Sequence, residues 1–227
     1  MFGWLKSGAE IKNLGIEDVR ITGWGQCFGS LVGYNNGRIG TSYSSGRISG
    51  TGSEVYAGGL VGKNGSYNAP DASVTNCCSH ISVSVATDYG DVGGLVGCSH
   101  GSIAASYSSG LASGTDGKVH VGGLVGSNRG TVTDCYSAAA AVGDYNVGGL
   151  VGRSSIDITA SFWDIQTSGS AGSDGGTGKT TAEMQTASTF LDAGWDFIDE
   201  NANGSEDIWW ILEGQDYPRL WWETEGN

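Results

Sequence analysis

Apolar residues in this chain come in short bursts between glycines and small polar residues, and the bursts repeat. Gly58-Gly59-Leu60-Val61-Gly62 returns at Gly93-Gly94-Leu95-Val96-Gly97, Gly122-Gly123-Leu124-Val125-Gly126 and Gly148-Gly149-Leu150-Val151-Gly152, with a worn copy at Gly29-Ser30-Leu31-Val32-Gly33. Measured from the leucine, the copies lie 29, 35, 29 and 26 residues apart. Each is followed by a small polar turn such as Asn35-Asn36-Gly37, Asn64-Gly65, Ser99-His100-Gly101 or Asn128-Arg129-Gly130. Then come a β-branched residue and a triplet: Ile39 with Ser42-Tyr43-Ser44, Ile103 with Ser106-Tyr107-Ser108, Val132 with Cys135-Tyr136-Ser137. Val74 with Cys77-Cys78-Ser79 and Ile158 with Ser161-Phe162-Trp163 are the divergent versions. Short β-branched runs bounded by Gly, Asn and Ser predict strands and turns, not helices.

A near-fixed period of this length marks a stacked array in which no repeat buries its own apolar face. The expectation is an all-β fold, a parallel β-solenoid (β-helix) of about 26–35-residue repeats over residues 1–163, with residues 1–27 as an imperfect first coil. Inward positions should line up in columns, Leu31, Leu60, Leu95, Leu124 and Leu150 in one and Ile39, Val74, Ile103, Val132 and Ile158 in another. Asn35, Asn64 and Asn128 share a turn column, where amides can bond along the stack. Tyr43, Tyr107 and Tyr136, with Phe162, are expected to point outward as an aromatic strip.

From Asp164 the pattern changes, and residues 164–227 read as a loop plus a C-terminal capping segment. Thr167 to Gly178 is a Gly/Ser/Thr/Asp loop. Thr180-Thr181-Ala182-Glu183 has the form of a capping box and predicts a short helix from Thr181 to Phe190. Trp195, Phe197, Ile208, Trp209, Trp210, Ile211, Leu212, Tyr217, Leu220, Trp221 and Trp222 then crowd together. A last coil leaves strand edges and apolar surface open, so these residues are expected to cap it.

Composition adds constraints. Glycine stands at 41 against two prolines, which suits tight turns and closely stacked backbone. Acids outnumber bases 24 to 11, for a formal charge of −13, which disfavours nucleic acid and anionic membrane as partners. No apolar run reaches membrane-spanning length, and no membrane insertion is expected. The first residues have no signal-peptide pattern, and the chain opens inside a degenerate repeat, so it reads as a piece of a longer protein. Five cysteines cannot all pair internally. Cys77 and Cys135 fall in a column otherwise held by Ser42, Ser106 and Ser161, two coils apart, at roughly 9–10 Å and beyond disulfide reach. Buried free thiols are expected. The alternative is zinc on Cys77, Cys78, Cys98 and His80 or His100, at spacings that match no zinc motif.

The core motif with its Asn/Gly turn and small-aromatic-Ser triplet, in five copies over residues 28–163, resembles the GLUG repeat of bacterial secreted and surface proteins. Phe162-Trp163-Asp164, Gly175 to Gln185 and Gly194-Trp195-Asp196-Phe197 resemble a tail that follows such repeats in secreted proteins of environmental bacteria. The resemblance implies an extracellular or cell-surface location.

Candidate chemistry is sparse. Gly178-Lys179-Thr180 has Ser173 where a phosphate loop needs glycine. Asp199, Asn201 and Asn203 before Gly204 start like a calcium loop, but Trp210 occupies the EF-hand glutamate position. A different calcium site on Asp199, Asn201, Asn203, Glu206 and Asp207 is one expectation, and a plain Asn/Asp/Gly turn is the other. No other cofactor is required. Just before the core motifs stand Glu54, Tyr56, Asp88, Tyr89, Asp91, Asp116, His120, Asp144 and Tyr145. Stacked, they predict a strip of carboxylates and rings where a polysaccharide or cell-surface glycan could bind, with equivalents about every 4.8 Å. The leading reading is a non-catalytic extracellular module for adhesion or polysaccharide binding. One alternative is a carbohydrate-active enzyme, a glycoside hydrolase or polysaccharide lyase, using carboxylates one or two coils apart at about 5–9.5 Å. The second is a structural stalk or spacer in a larger surface protein.

Overall fold

The computed structural model describes residues 1–69 and 71–223. The protein is mostly β, and its strands pair in parallel except Trp209–Trp210 with Arg219–Leu220, which are antiparallel. Each Leu-Val core supplies one strand of a six-stranded sheet in the order Phe2–Leu5, Val32–Asn35, Val61–Asn64, Val96–Ser99, Val125–Asn128 and Val151–Ser154. Spatial order equals chain order, so each repeat lies beside its sequence neighbours. The register is that of the alignment: Val32 faces Val61, Val61 faces Val96, and Val125 lies between Val96 and Val151. The leucine amides donate along the array, Leu31 to the Leu60 carbonyl (3.1 Å), Leu60 to Leu95 (3.0 Å), Leu95 to Leu124 and Leu124 to Leu150 (both 2.9 Å).

That spacing explains the second glycine of the motif. A β-carbon on Gly94 would stand 2.1 Å from the Gly123 carbonyl oxygen, and one on Gly59 2.2 Å from that of Gly94. Both obstacles are main chain, so no rotamer change relieves them.

A second, larger sheet is dominated by Glu10–Trp24, Arg38–Gly58 and Cys78–Gly93, which pair with one another and with shorter strands of later repeats. At one corner a residue recurs in the left-handed conformation: Thr41 (φ 45°), Asn76 (53°), Ala105 (44°), Asp134 (52°) and Ala160 (43°). The small residue that follows each one donates back to the carbonyl two places earlier. Ser42, Ser106 and Ser161 do so at 2.8, 2.7 and 2.8 Å, and Cys77 and Cys135 through sulfur at 3.2 and 3.0 Å. The column needs a short donor, which both serine and cysteine supply. Cys77 and Cys135 are buried and unpaired, and burial pushes the Cys77 thiol up to about 12.

Two interiors run through the array. The leucine and Ile39/Val74/Ile103/Val132 columns form one, with Ile158 packed at its edge. A second, built on Ile48, Val55, Ile81, Val83, Val92, Val119 and Val121, lies between the arms of the long strands. The amide ladder joins Asn35 to Asn64 at 2.8 Å, and Asn64 continues to Ser99 at 3.1 Å.

The C-terminal segment sits elsewhere than expected. The Gly/Ser loop itself meets the last repeat: Ala141 donates to Ser168, Gly149 to Gly172, and Asp174 to the Val151 carbonyl, while Thr177–Lys179 pairs with Phe162–Asp164. The tryptophans instead lie along the flank. Tyr107, Tyr136 and Phe162, expected outside, are buried under Phe190, Trp195, Phe197, Trp209 and Leu220. Tyr43 stacks on Trp222 at 5.8 Å, and Trp195 packs on Trp209 at 4.5 Å. A stacked tyrosine column is a large apolar surface that gains by being covered. The helix splits into Thr181–Met184 and Ala187–Leu191, with Thr180 and Glu183 forming the capping box.

Asp164 fastens this segment. Its buried carboxylate accepts from the Gln166 and Thr167 amides, the Thr181 hydroxyl and the Tyr217 hydroxyl. Burial alone raises its pKa, but these donors outweigh burial and hold it below the usual carboxylate range.

Two outcomes follow. Gly94→Ala should cost about 3 kcal/mol or more in urea unfolding, because the methyl meets backbone, whereas Gly3→Ala, with open space around it, should change little. A depressed folded-state pKa gives stability that is present above about pH 4 and lost as pH falls through the folded value. Asp164→Asn should therefore lower the urea midpoint at pH 7, and its deficit against the unmutated chain should shrink by about pH 2.5. An equal deficit at both pH values contradicts this role.

Candidate functional site

Strand register builds a groove beside the core motif. On one strand position Glu54, Tyr89 and Lys118 succeed one another, and two residues on, Tyr56, Asp91 and His120 do the same. Residues two apart on a strand share a face, so the two columns lie side by side. The adjoining six-stranded sheet contributes the column Tyr34, Lys63, Cys98, Ser127 and Arg153. Between them lies a cavity of about 300 Å³ lined by Glu54, Tyr56, Tyr89, Asp91, Lys118, His120, Arg129, Tyr145 and Arg153.

The side chains inside it are tied to one another. His120 Nδ1 lies 2.8 Å from Asp91 Oδ1. The Tyr56 hydroxyl donates to Glu54 at 2.6 Å, and Gln26 donates to the other Glu54 oxygen at 3.1 Å. The Lys63 ammonium stands 5.0 Å from the centre of the Tyr56 ring, and His120 lies 5.5 Å from the Tyr145 ring. Tyr89 and Tyr145 present exposed rings at the rim. On the wall behind, burial and then the Asp91 charge push the Cys98 thiol up to about 12, an unreactive thiol at neutral pH.

Glu54, Tyr56, Tyr89, Asp91, His120 and Tyr145, six of the nine residues expected in the strip, thus line one groove. Asp88, Asp116 and Asp144 are exposed at the preceding corner and do not line the groove. Nor is the strip acidic: Glu54 lies beside Tyr89 and not beside another acid, and Asp91 lies between Tyr56 and His120. The carboxylate ladder of the enzymatic alternative is therefore not formed by these columns. The sequence reading missed the cations Lys118, Arg129 and Arg153. The column two places after the motif valine, Tyr34, Lys63, Cys98, Ser127 and Arg153, held that signal for Arg153 alone.

At the proposed calcium turn, Asp199 and Asp207 adopt positive φ (67° and 51°) and are exposed, as are Asn201 and Glu206. Asn203 points inward, and its amide donates to the carbonyls of Leu191 and Trp195 at 2.9 and 3.2 Å, a fastening role. The zinc alternative is only partly assembled. Cys78 and His80 meet each other and Glu223. Cys77 faces its own turn, Cys98 the groove, and His100 the Tyr67 ring at 4.8 Å.

Comparison with known proteins gives distant context. No family model matches the chain, and no solved structure matches it. It is 37% identical over 153 residues to a protein of Evansella cellulosilytica named "Putative Gly-rich membrane protein", across 65% of this chain and 14% of that one. It is 36% identical over 239 aligned positions to Halomucin of Haloquadratum walsbyi, across the whole chain and 2% of that protein. The chain therefore spans a small part of both relatives. Among the described residues no helix is long and apolar enough to cross a membrane.

Proposed function

We propose that this chain is a non-catalytic, extracellular binding module, a β-solenoid of GLUG-like repeats over residues 1–163 held by its C-terminal segment, whose groove binds a linear anionic polysaccharide. The observation that carries the reading is that three tyrosine rings and three cations line the same groove. Tyr56, Tyr89 and Tyr145 offer faces on which sugar rings stack. Lys118, Arg129 and Arg153 supply donors for carboxylate or sulfate groups, with Lys63 packed behind Tyr56.

This placement is selective. The chain carries −13 with only 11 Lys and Arg, yet a disproportionate share of these cations gathers at one groove. Rungs about 4.8 Å apart let neighbouring sugars meet neighbouring repeats. The two carboxylates of the groove are each tied to a neighbour, Asp91 to His120 and Glu54 to Tyr56. A surface location fits relatives named as a Gly-rich membrane protein and as Halomucin.

Affinity electrophoresis against a uronic-acid polymer and a neutral glucan tests the reading. The acidic polymer should retard the protein and the neutral one should not, with retardation weakening as salt rises. Tyr89→Ala with Tyr145→Ala, and separately Arg129→Ala with Arg153→Ala, should each weaken binding about tenfold or more while leaving the melting temperature nearly unchanged, because these residues are exposed. Equal retardation by both polymers, release of reducing ends, or binding that survives both pairs but is lost in Trp221→Ala overturns it.

A further inference from the structure

We propose that Cys78, His80 and Glu223 form a zinc site that fastens the C-terminal segment to the flank of the repeats. Their ligand atoms all lie within 4.8 Å of one another. Cys78 Sγ is 3.8 Å from His80 Nε2 and 4.0 Å from Glu223 Oε1. Around a tetrahedral zinc with metal–sulfur about 2.3 Å and metal–nitrogen or –oxygen about 2.0–2.1 Å, such pairs stand about 3.6 Å apart. A shift of a few tenths of an ångström therefore brings the sulfur to its distance from the other two ligand atoms.

The surroundings orient each ligand. His80 Nδ1 lies 2.6 Å from the Ser109 hydroxyl, so an Nδ1 hydrogen donated there leaves the Nε2 lone pair facing Cys78. Glu223 is held through its other oxygen, which accepts from the Leu220 amide at 2.7 Å, while the Tyr107 hydroxyl donates to Oε1 at 2.6 Å. That oxygen keeps a second lone pair for a metal. Thiolate, imidazole and carboxylate together select zinc over magnesium or calcium, and one thiolate with one carboxylate balances its two charges.

The position argues for a fastening role. Cys78 and His80 belong to the strand Cys78–Gly93 and Glu223 to the 3-10 turn Trp221–Glu223, 145 residues away from Cys78. His80 and Glu223 border a cavity of about 360 Å³ that also takes in Tyr217 and Arg219, with Arg219 paired to Asp216, while Cys78 is buried behind them. Three protein ligands beside open space leave a fourth position for water.

Zinc and cobalt titrations of the metal-free chain decide the matter. One equivalent of zinc should bind and raise the melting temperature. Cobalt should give tetrahedral visible bands and a thiolate-to-metal absorption that Cys78→Ser removes. His80→Ala and Glu223→Gln should each weaken zinc at least about tenfold, and Tyr107→Phe by about 10–100-fold as an outer partner. His100→Ala, a histidine outside the cluster, should leave affinity unchanged. Circular dichroism establishes that each variant is folded, and if Cys78→Ser is not, the His80 and Glu223 variants decide. Zinc affinity unchanged in the His80→Ala, Glu223→Gln double variant, or cobalt without a thiolate band, overturns the proposal.

Discussion

The structure depends on how closely the main chains of successive repeats approach at the Gly-Gly step. Gly59, Gly94 and Gly123, the second glycines of three motifs, leave no room for a β-carbon against the carbonyl of the next repeat, and the leucine amides that follow them lie within 2.9–3.0 Å of their acceptors. Buried amides need such partners, because an unpaired one costs free energy comparable to a lost hydrogen bond. The same step seats the leucines over one another in a fully buried column. Backbone pairing and apolar burial are thus two results of one close approach, and each repeat obtains both from its neighbours.

Such an array is finished only when its edges and flanks are covered. The Gly/Ser loop after Asp164 continues the hydrogen bonding of the last repeat. The tryptophans lie across the tyrosine column, where aromatic area is greatest. Asp164 links both arrangements, accepting from the loop amides that follow it and from Tyr217 on the far side. The opposite situation holds at the groove, where Tyr89 and Tyr145 stay exposed beside cations drawn from three repeats.

The leucine and β-branched columns were legible in the sequence because a fixed period places equivalent residues in equivalent surroundings. Parallel in-register pairing is the simplest way to satisfy that period, and Val61 against Val96 follows directly. The second interior was not read from the sequence: only Ile81-Ser82-Val83-Ser84-Val85 alternates plainly, and glycines around Ile48 and Ala112 obscure its period in the other repeats. The site was half legible. Glu54, Tyr56, Tyr89, Asp91, His120 and Tyr145 precede the motif and stay together, whereas Arg129 and Arg153 follow it and reach the groove only because the chain turns back on itself. The path of the tail was not legible, since Trp195, Trp209 and Trp222 carry no period that says which surface they cover. The contact between Glu223 and Cys78 spans most of the chain and leaves no local mark.

The most direct measurement is amide hydrogen exchange of the folded chain, read residue by residue. The amides of Leu60, Leu95 and Leu124 donate to the following repeat, so they should exchange together and among the slowest in the protein, through opening of the whole array. Exchange of these amides as fast as that of the exposed turn at residues 201–205 contradicts the account, because it means that neighbouring repeats do not hold one another.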